Sequence, residues 1–484
     1  MIPASGVSSA VGEAATGCGS LRSGRLKHQV ATLFDTVFSF EVTVAVCVLA
    51  LIALAVPNSM GDPDIWWHLR NARHLLTQHA FVRQDFYSYT ASGSPWIDHE
   101  WLSELPFYLG WRLAGAGGVH FVTVSVIEGI FAGTFWLCEK ASRSLCTAAA
   151  CTIGAAFIST VSFGPRTLLF GWLCLVLELV LLEHFKQRPK ALLAMPLLFG
   201  CWVNLHGSWF IGLVVFGMAS VLGQLHVGGQ FLAIDALDAQ RKKMLKFAWI
   251  GTLPALFCNP WGWRLVAYPF NFAFRQKLNV ANVMEWKSLD LHTLRGEVVA
   301  VAVFLLVLKQ LWRPRTWSPT ELAFVFLGLW SALNYSRFLC LLALLAAPVA
   351  ARSFPAEVHQ AAEKRRPLTN AAILTSVLAV LLISVHRSRH EKDQGMQQFP
   401  ANISAALSHV DSHRRIFNEF LWGGYIGWME PERRVFIDSR VDIFEYNGTF
   451  KDYLDVIHLN RSLELLDHYK VDYVFFGKDT PLTY

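Results

Sequence analysis

Two carboxylates, a histidine and an arginine fall within nine residues at Asp62-Pro63-Asp64-Ile65-Trp66-Trp67-His68-Leu69-Arg70. A carboxylate can take a proton from an attacking hydroxyl or contribute to a hard-cation site. An arginine clamps phosphate through two parallel N–H donors. The same segment has a plain reading. Asp62 or Asp64 caps a helix over Ile65–Gln78 and satisfies its free N–H groups. Capping needs one aspartate, not both. Pro63 disfavours helix at Asp62, which makes Asp62 the better cap and leaves Asp64 as the favoured base. His68, four residues on, is placed to hydrogen-bond Asp64. Further along come Asp85 and the triplet Asp98-His99-Glu100.

Other polar residues sit at the ends of apolar runs. These are Gly164-Pro165-Arg166, Asn204-Leu205-His206-Gly207, Asn259-Pro260-Trp261-Gly262, Glu285-Trp286 and Asn334-Tyr335-Ser336-Arg337, then Trp422-Gly423-Gly424-Tyr425 and Asp438-Ser439-Arg440. Each has a bland explanation: a turn, a snorkelling arginine, an asparagine that ties helices together. Their joint placement at one set of helix ends points to chemistry on a phosphate-bearing lipid. A transport path calls instead for polar residues at mid-bilayer depth, and the mid-run charges are only Glu41, Glu128 and Glu178.

The elements that position these residues are apolar. Hydrophobic residues make up 54% of the 484 and charged residues 16%, far below the quarter usual in soluble chains. Runs at roughly 37–57, 119–138, 146–163, 167–184, 191–204, 208–223, 245–258, 297–312, 318–333, 338–351 and 371–386 predict about eleven transmembrane helices. The first reads as an uncleaved signal anchor. Basic clusters alternate with them: Lys140 and Arg143; Lys186, Arg188 and Lys190; Arg241, Lys242, Lys243 and Lys246; Lys309, Arg313 and Arg315; Arg352, Lys364, Arg365 and Arg366. That alternation predicts a cytoplasmic N-terminus and an extracytoplasmic C-terminus. If 191–223 were one broken helix, every later segment would invert.

The net charge of +6 therefore reads as topology determinants, not as a nucleic-acid surface. The nine cysteines have no CxxC pair, and most lie in or beside apolar runs, which argues against disulfides and zinc. The expected organisation is a disordered cytoplasmic segment 1–36, a transmembrane domain 37–386 with a large first outward loop 58–118, and a small extracytoplasmic α/β domain 387–484. In that last unit Arg415-Ile416-Phe417, Val435-Phe436-Ile437 and Val471–Phe476 read as three strands, with a helix before the third.

At these residues the chain resembles the GT-C superfamily of membrane glycosyltransferases, which use polyprenyl-phosphate-linked sugars. The Asp62–Arg70 motif looks like the first-loop acidic motif of oligosaccharyltransferase catalytic subunits. Trp422-Gly423-Gly424-Tyr425, followed by Arg434 and Asp438, is similar in order to their Trp-Trp-Asp-Tyr-Gly segment. Gly423-Gly424 stands where that family reads its acceptor with Asp, so transfer to protein asparagine is not expected. The whole chain resembles bacterial membrane proteins of GT-C-like architecture.

The resemblance implies an all-α polytopic membrane domain in the bacterial inner membrane with a small α/β domain outside. It implies a glycosyltransferase moving a sugar from a polyprenyl-phosphate donor at the outer leaflet, with membrane lipid and that donor as partners and no nucleic acid. Asp64 or Asp62 would be the catalytic base. Arg70, His68, Asp98, His99, Glu100, Arg166, Asn204, His206, Glu285, Arg337, Trp422, Asp438 and Arg440 would bind substrate, with lipid phosphate on Arg166, Arg337 or Arg70. An Mg2+ or Mn2+ ion on Asp62, Asp64, Asp98 and Glu100 stays open, since some GT-C enzymes use a metal and others do not. Two other readings remain: a non-catalytic scaffold or lipid-linked-glycan binder, and a polytopic transporter.

Overall fold

The structure is a computed structural model, and it describes residues 32, 34–355, 366–388, 396–397, 399–400 and 403–484. Cys18, the basic residues Arg22, Arg25, Lys27, Lys364 and Arg365, and nearly all of the 1–36 segment lie outside the described residues.

Every apolar run of the sequence falls on a helix. They are Phe40–Ala55, Trp101–Ser142, Leu145–Ser159, Leu168–Phe185, Met195–Leu205, Trp209–Leu222, Ala239–Ala255, Leu294–Trp312, Pro319–Asn334, Leu339–Ser353 and Pro367–Ser388. Among the described residues, five segments are long and apolar enough to cross a membrane: Trp101–Ser142, Leu145–Ser162, Leu168–Phe185, Ser336–Ser353 and Pro367–Arg387. Phe40–Ala55, Pro189–Leu205 and Trp209–Leu222 are apolar but shorter.

Trp101–Ser142 is two helices joined at a kink. Gly115 takes φ +57°, which only glycine adopts without strain. The backbones on either side fold together so closely that a Cβ on Gly118 would lie 1.9 Å from the Gly110 carbonyl oxygen. The first limb carries the first loop's polar end; the second runs on through the apolar core between the helices. At 191–223 there are two helices separated by the turn His206–Ser208. Trp202 lies against Gly212, whereas ten residues of straight helix span about 15 Å. The chain therefore reverses here. The core between helices is built from large side chains, with Trp172, Trp202, Trp209, Phe199 and Phe216 all fully buried.

The tail contains a two-stranded parallel sheet, Ile416–Asn418 against Tyr473–Phe475. Helices Phe420–Met429, Val441–Tyr446, Thr449–Ile457 and Ser462–His468 lie between the strands in sequence. Val435-Phe436-Ile437, expected as a third strand, does not join that sheet. Val435 instead makes an isolated parallel bridge with Ser88 in the first loop. The Asn418 amide takes the inner edge, accepting from the Phe436 N–H and donating to the Ile437 carbonyl. The segment is extended, but its partners are a side chain and a distant loop. Tail and first loop share one apolar core: Trp67, Val82, Ala91 and Trp96 pack with Phe417, Phe436, Ile437, Phe444, Phe450 and Tyr453.

Candidate functional site

The acidic motif begins the helix Asp64–Gln78. Its N-cap is Pro63, which has no side chain to offer the free N–H groups. Asp62 partly fills that role, with Oδ1 accepting from the Asp64 N–H at 3.0 Å. Its other oxygen takes the Arg166 Nε at 2.6 Å. Arg166 Nη1 also pairs with Glu285. One guanidinium thus joins the first loop, the 164–166 turn and the loop before Leu294. Asp64 has no ion-pair partner among the described residues; its Oδ1 accepts from the Trp67 indole at 3.2 Å. Burial first, and then the charge of Asp62, push the Asp64 carboxyl up to about 7, against the pull of Ser439, Trp67 and Arg166.

Arg337 stands beside this group. Its guanidinium lies over the Trp286 ring, 4.1 Å from the centroid. The charges acting on it are Glu285, Arg166, Glu100 and Asp64. Among the described residues none of these carboxylates reaches ion-pair distance of Arg337.

His68 is not a partner of Asp64. It is buried, with Nδ1 2.9 Å from Glu104 and Nε2 3.5 Å from Glu100. The helical spacing is as expected, but Asp64 is engaged by the indole one turn away and His68 is drawn to carboxylates on the next helix. Glu100 is the hub: its Oε1 also meets His99 Nε2 at 3.2 Å and His206 Nε2 at 3.1 Å. His206 Nδ1 accepts from the Ser208 N–H, so its proton is on Nε2 and points at Glu100. Burial opposes the charge on Glu100, but His99 and His206 hold its carboxyl well below the usual range. Burial lowers His68 to about 3, keeping it neutral. His99 is raised: burial works against its charge, but Glu100, Asp442 and Asp98 prevail. Its ring packs tilted against Tyr268 at 4.4 Å, and the Tyr268 hydroxyl donates to Asp442 of the tail at 3.0 Å. Asp98, pushed up to about 7 by burial, accepts weakly from Asn71, and among the described residues its Oδ1 has no hydrogen-bond donor within reach.

The remaining candidates have structural duties. Arg440 is buried and bidentate on Asp438, and its Nη2 also reaches Asp85 of the first loop at 2.7 Å. Tyr87 and Trp96 cover its guanidinium. Arg70 donates to the Pro431 carbonyl at 2.7 Å and lies over Tyr87. Asn204 accepts from the Trp101 indole and donates to the Gly200 and Cys258 carbonyls, which locks three helices. Trp422 packs on Phe475. Gly423 and Gly424 mark close approaches. A Cβ on Gly423 would meet the Ile437 oxygen at 2.0 Å, and one on Gly424 the Pro63 oxygen at 3.0 Å. An aspartate has no room at Gly423. Glu104, Asn71, Tyr268 and Asp442 joined the site unannounced by any sequence motif.

A cavity of about 1780 Å³ opens beside the motif. Asn58, Ser59, Asp62 and Arg166 line it together with His120, Ser384 and Gln397, and Leu54, Leu113, Phe121, Val161 and Leu381 are among its apolar walls. Asp64, Glu285 and Arg337 adjoin through Arg166 and do not line it. The four carboxylates first considered for a divalent cation are split. Asp62 and Asp64 sit with Arg166, while Asp98 and Glu100 sit among histidines. Arg166 and a backbone N–H already engage Asp62, and no group of three or more His, Cys, Asp or Glu among the described residues has metal-holding geometry. This donor set does not fit a divalent ion.

No family profile matches the sequence, and no curated protein matches it significantly. Solved structures do match by fold. The apo oligosaccharyltransferase of Archaeoglobus fulgidus superposes with a TM-score of 0.51 at 11% identity, over 90% of this chain and 69% of that one. The oligosaccharyltransferase AglB from the same archaeon, in complex with an inhibitory peptide and a dolichol-phosphate, gives 0.51 at 12% identity over the same shares. The chain shares the overall fold of these archaeal oligosaccharyltransferases, at a distance where the likeness speaks for architecture alone.

Proposed function

We propose that the chain is a membrane glycosyltransferase that moves a sugar from a lipid-phosphate donor to a hydroxyl acceptor. The observation that carries this reading is the Asp62–Arg166 pair lining a largely apolar cavity, with Arg166 bridged to Glu285 and Arg337 close behind it. The cavity suits a polyprenyl chain, with the phosphate beside Arg166. The dolichol-phosphate bound by the AglB structure is a lipid of that class.

In the proposed step the acceptor oxygen attacks the anomeric carbon from the face opposite the phosphate. The bond from that carbon to the phosphate oxygen breaks, and the configuration inverts. The acceptor proton goes to Asp64. Asp62 is tied up by Arg166, whereas Asp64 has no ion-pair partner among the described residues and its carboxyl is raised to about 7, near the working pH of a general base. Arg337, with Arg166, stabilises the charge on the departing phosphate. The proposed setting is a bacterial inner membrane, with about eleven crossings, the N-terminus inside, and the first loop and the 387–484 unit outside. The basic clusters between the runs support that orientation.

The test is transfer of labelled sugar from a set of polyprenyl-phosphate donors by purified chain in lipid nanodiscs. Asp64→Asn keeps the shape and removes the base, and is expected to lower turnover by about 10²–10⁴-fold with unchanged folding. Parent-rate transfer by both Asp64→Asn and Asp62→Asn rules out this loop as the base.

A further inference from the structure

The helix Trp263–Arg275 has two unlike faces. Leu265, Tyr268 and Phe272, with Gln276 just past the last turn, point into the protein: Leu265 is buried, Tyr268 packs tilted against His99, Phe272 meets Trp286 at 5.4 Å, and Gln276 is buried. Trp263, Ala267, Phe270 and Phe274 follow the i, i+4, i+7, i+11 pattern of one opposite stripe. Trp263, Phe270 and Phe274 are 67%, 47% and 75% exposed, far more than an aqueous surface keeps in one patch.

The patch runs into apolar surface of the helical core. Phe270 touches Phe210, 5.1 Å between centroids, and Phe210 opens the apolar helix Trp209–Leu222. Exposed Phe257 lies two residues past the end of the preceding helix, Ala239–Ala255. Arg264 and Arg275 lie on one border of the stripe and Lys277 follows directly. All three are exposed, and none has a carboxylate partner among the described residues.

We propose that this helix is a lipid-surface anchor. It lies in the headgroup–acyl boundary of the bilayer, with Trp263, Phe270 and Phe274 in the acyl layer and Arg264, Arg275 and Lys277 on anionic lipid phosphates. The anchor bears directly on the tail. Tyr268 and Gln276 donate to the Asp442 carboxylate and carbonyl, and Glu445 accepts from the Leu278 and Asn279 N–H groups. Seating the helix in lipid therefore sets the height of segment 442–445 above the membrane, and with it the Tyr268 ring on His99. The assignment is independent of whether sugar is transferred.

The test places a nitroxide at 263, 270 or 274, in a full-length background with its nine cysteines replaced that elutes and melts as the parent does. The protein is reconstituted into phosphatidylcholine vesicles with or without phosphatidylglycerol. Collision with oxygen is expected to exceed collision with a water-soluble nickel chelate at all three sites, and the depth is expected to increase with phosphatidylglycerol. Arg264→Gln, Arg275→Gln and Lys277→Gln together should abolish that increase. Nickel-dominated collisions at all three positions overturn the anchor. So does exclusion of both reagents with spin–spin broadening between copies, which would mean that a second chain covers the face. Depth insensitive to phosphatidylglycerol overturns the anionic-lipid assignment.

Discussion

Asp62→Asn removes one negative charge while keeping the side-chain shape, including the oxygen that accepts from the Asp64 N–H. Burial is the first cause of the raised Asp64 carboxyl and Asp62 the second. A neighbouring charge at contact range shifts a carboxyl by about one to three units, and because Asp62 ranks after burial among the causes the low end applies. Asp64 should thus fall from about 7 by about one unit. Its ionised fraction at pH 6 then rises from about one tenth to about one half. The acid limb of the pH–rate profile should move down by that unit in Asp62→Asn. In Arg166→Gln it should move up, because Arg166 works to lower Asp64. Infrared titration of the protonated-carboxyl band gives the same shifts without turnover. The sign for folding is opposite: between pH 3.8 and about 7 the native chain keeps a proton on Asp64 that the unfolded chain releases. Stability contributed through this group therefore falls as pH rises through that window. An acid limb that stays in place or moves upward in Asp62→Asn would falsify the coupling between the two aspartates.

Three further outcomes follow from packing. Arg440→Met leaves Asp85 and Asp438 buried without their cation and should cost about 3–5 kcal/mol; a thermal-unfolding loss below about 1 kcal/mol contradicts the clamp. Gly423→Ala should destabilise more than Gly424→Ala, since its Cβ meets backbone at 2.0 Å rather than 3.0 Å; equal melting points would refute that ranking. Asn204→Leu strands the Trp101 indole and the Cys258 carbonyl and should cost about 2–5 kcal/mol, read by the same unfolding measurement.

The apolar runs were legible because a bilayer-length stretch of hydrophobic side chains has few other solutions than helix. Pro63 made Asp62 legible as the aspartate that meets the helix N–H groups, and Asp62 Oδ1 does accept from the Asp64 N–H. The distant partners were not legible. Arg166 reaches Asp62 across 104 residues and Glu285 across 119, and no local pattern encodes such a meeting. The Glu100 hub gathers His68, His99 and His206 from three segments, so helical spacing drew His68 to the wrong carboxylate. Val435–Ile437 was read as a strand because strand character in sequence reports an extended, buried chain. It does not report whether the hydrogen-bond partner is a strand, a loop or, as here, the Asn418 amide.

The Arg440–Asp85 contact spans 355 residues of chain. At ordinary synthesis speeds of about 5–20 residues per second, roughly 20–70 seconds separate the emergence of the two groups. Throughout that interval Asp85 has no cation, and Trp67, Val82 and Trp96 lack the tail side chains that cover them. The first loop is thus a waiting half-site that closes only after the tail has been delivered to the same side of the membrane. A chain that stops short of Arg440 leaves a carboxylate without its cation beside uncovered aromatic surface.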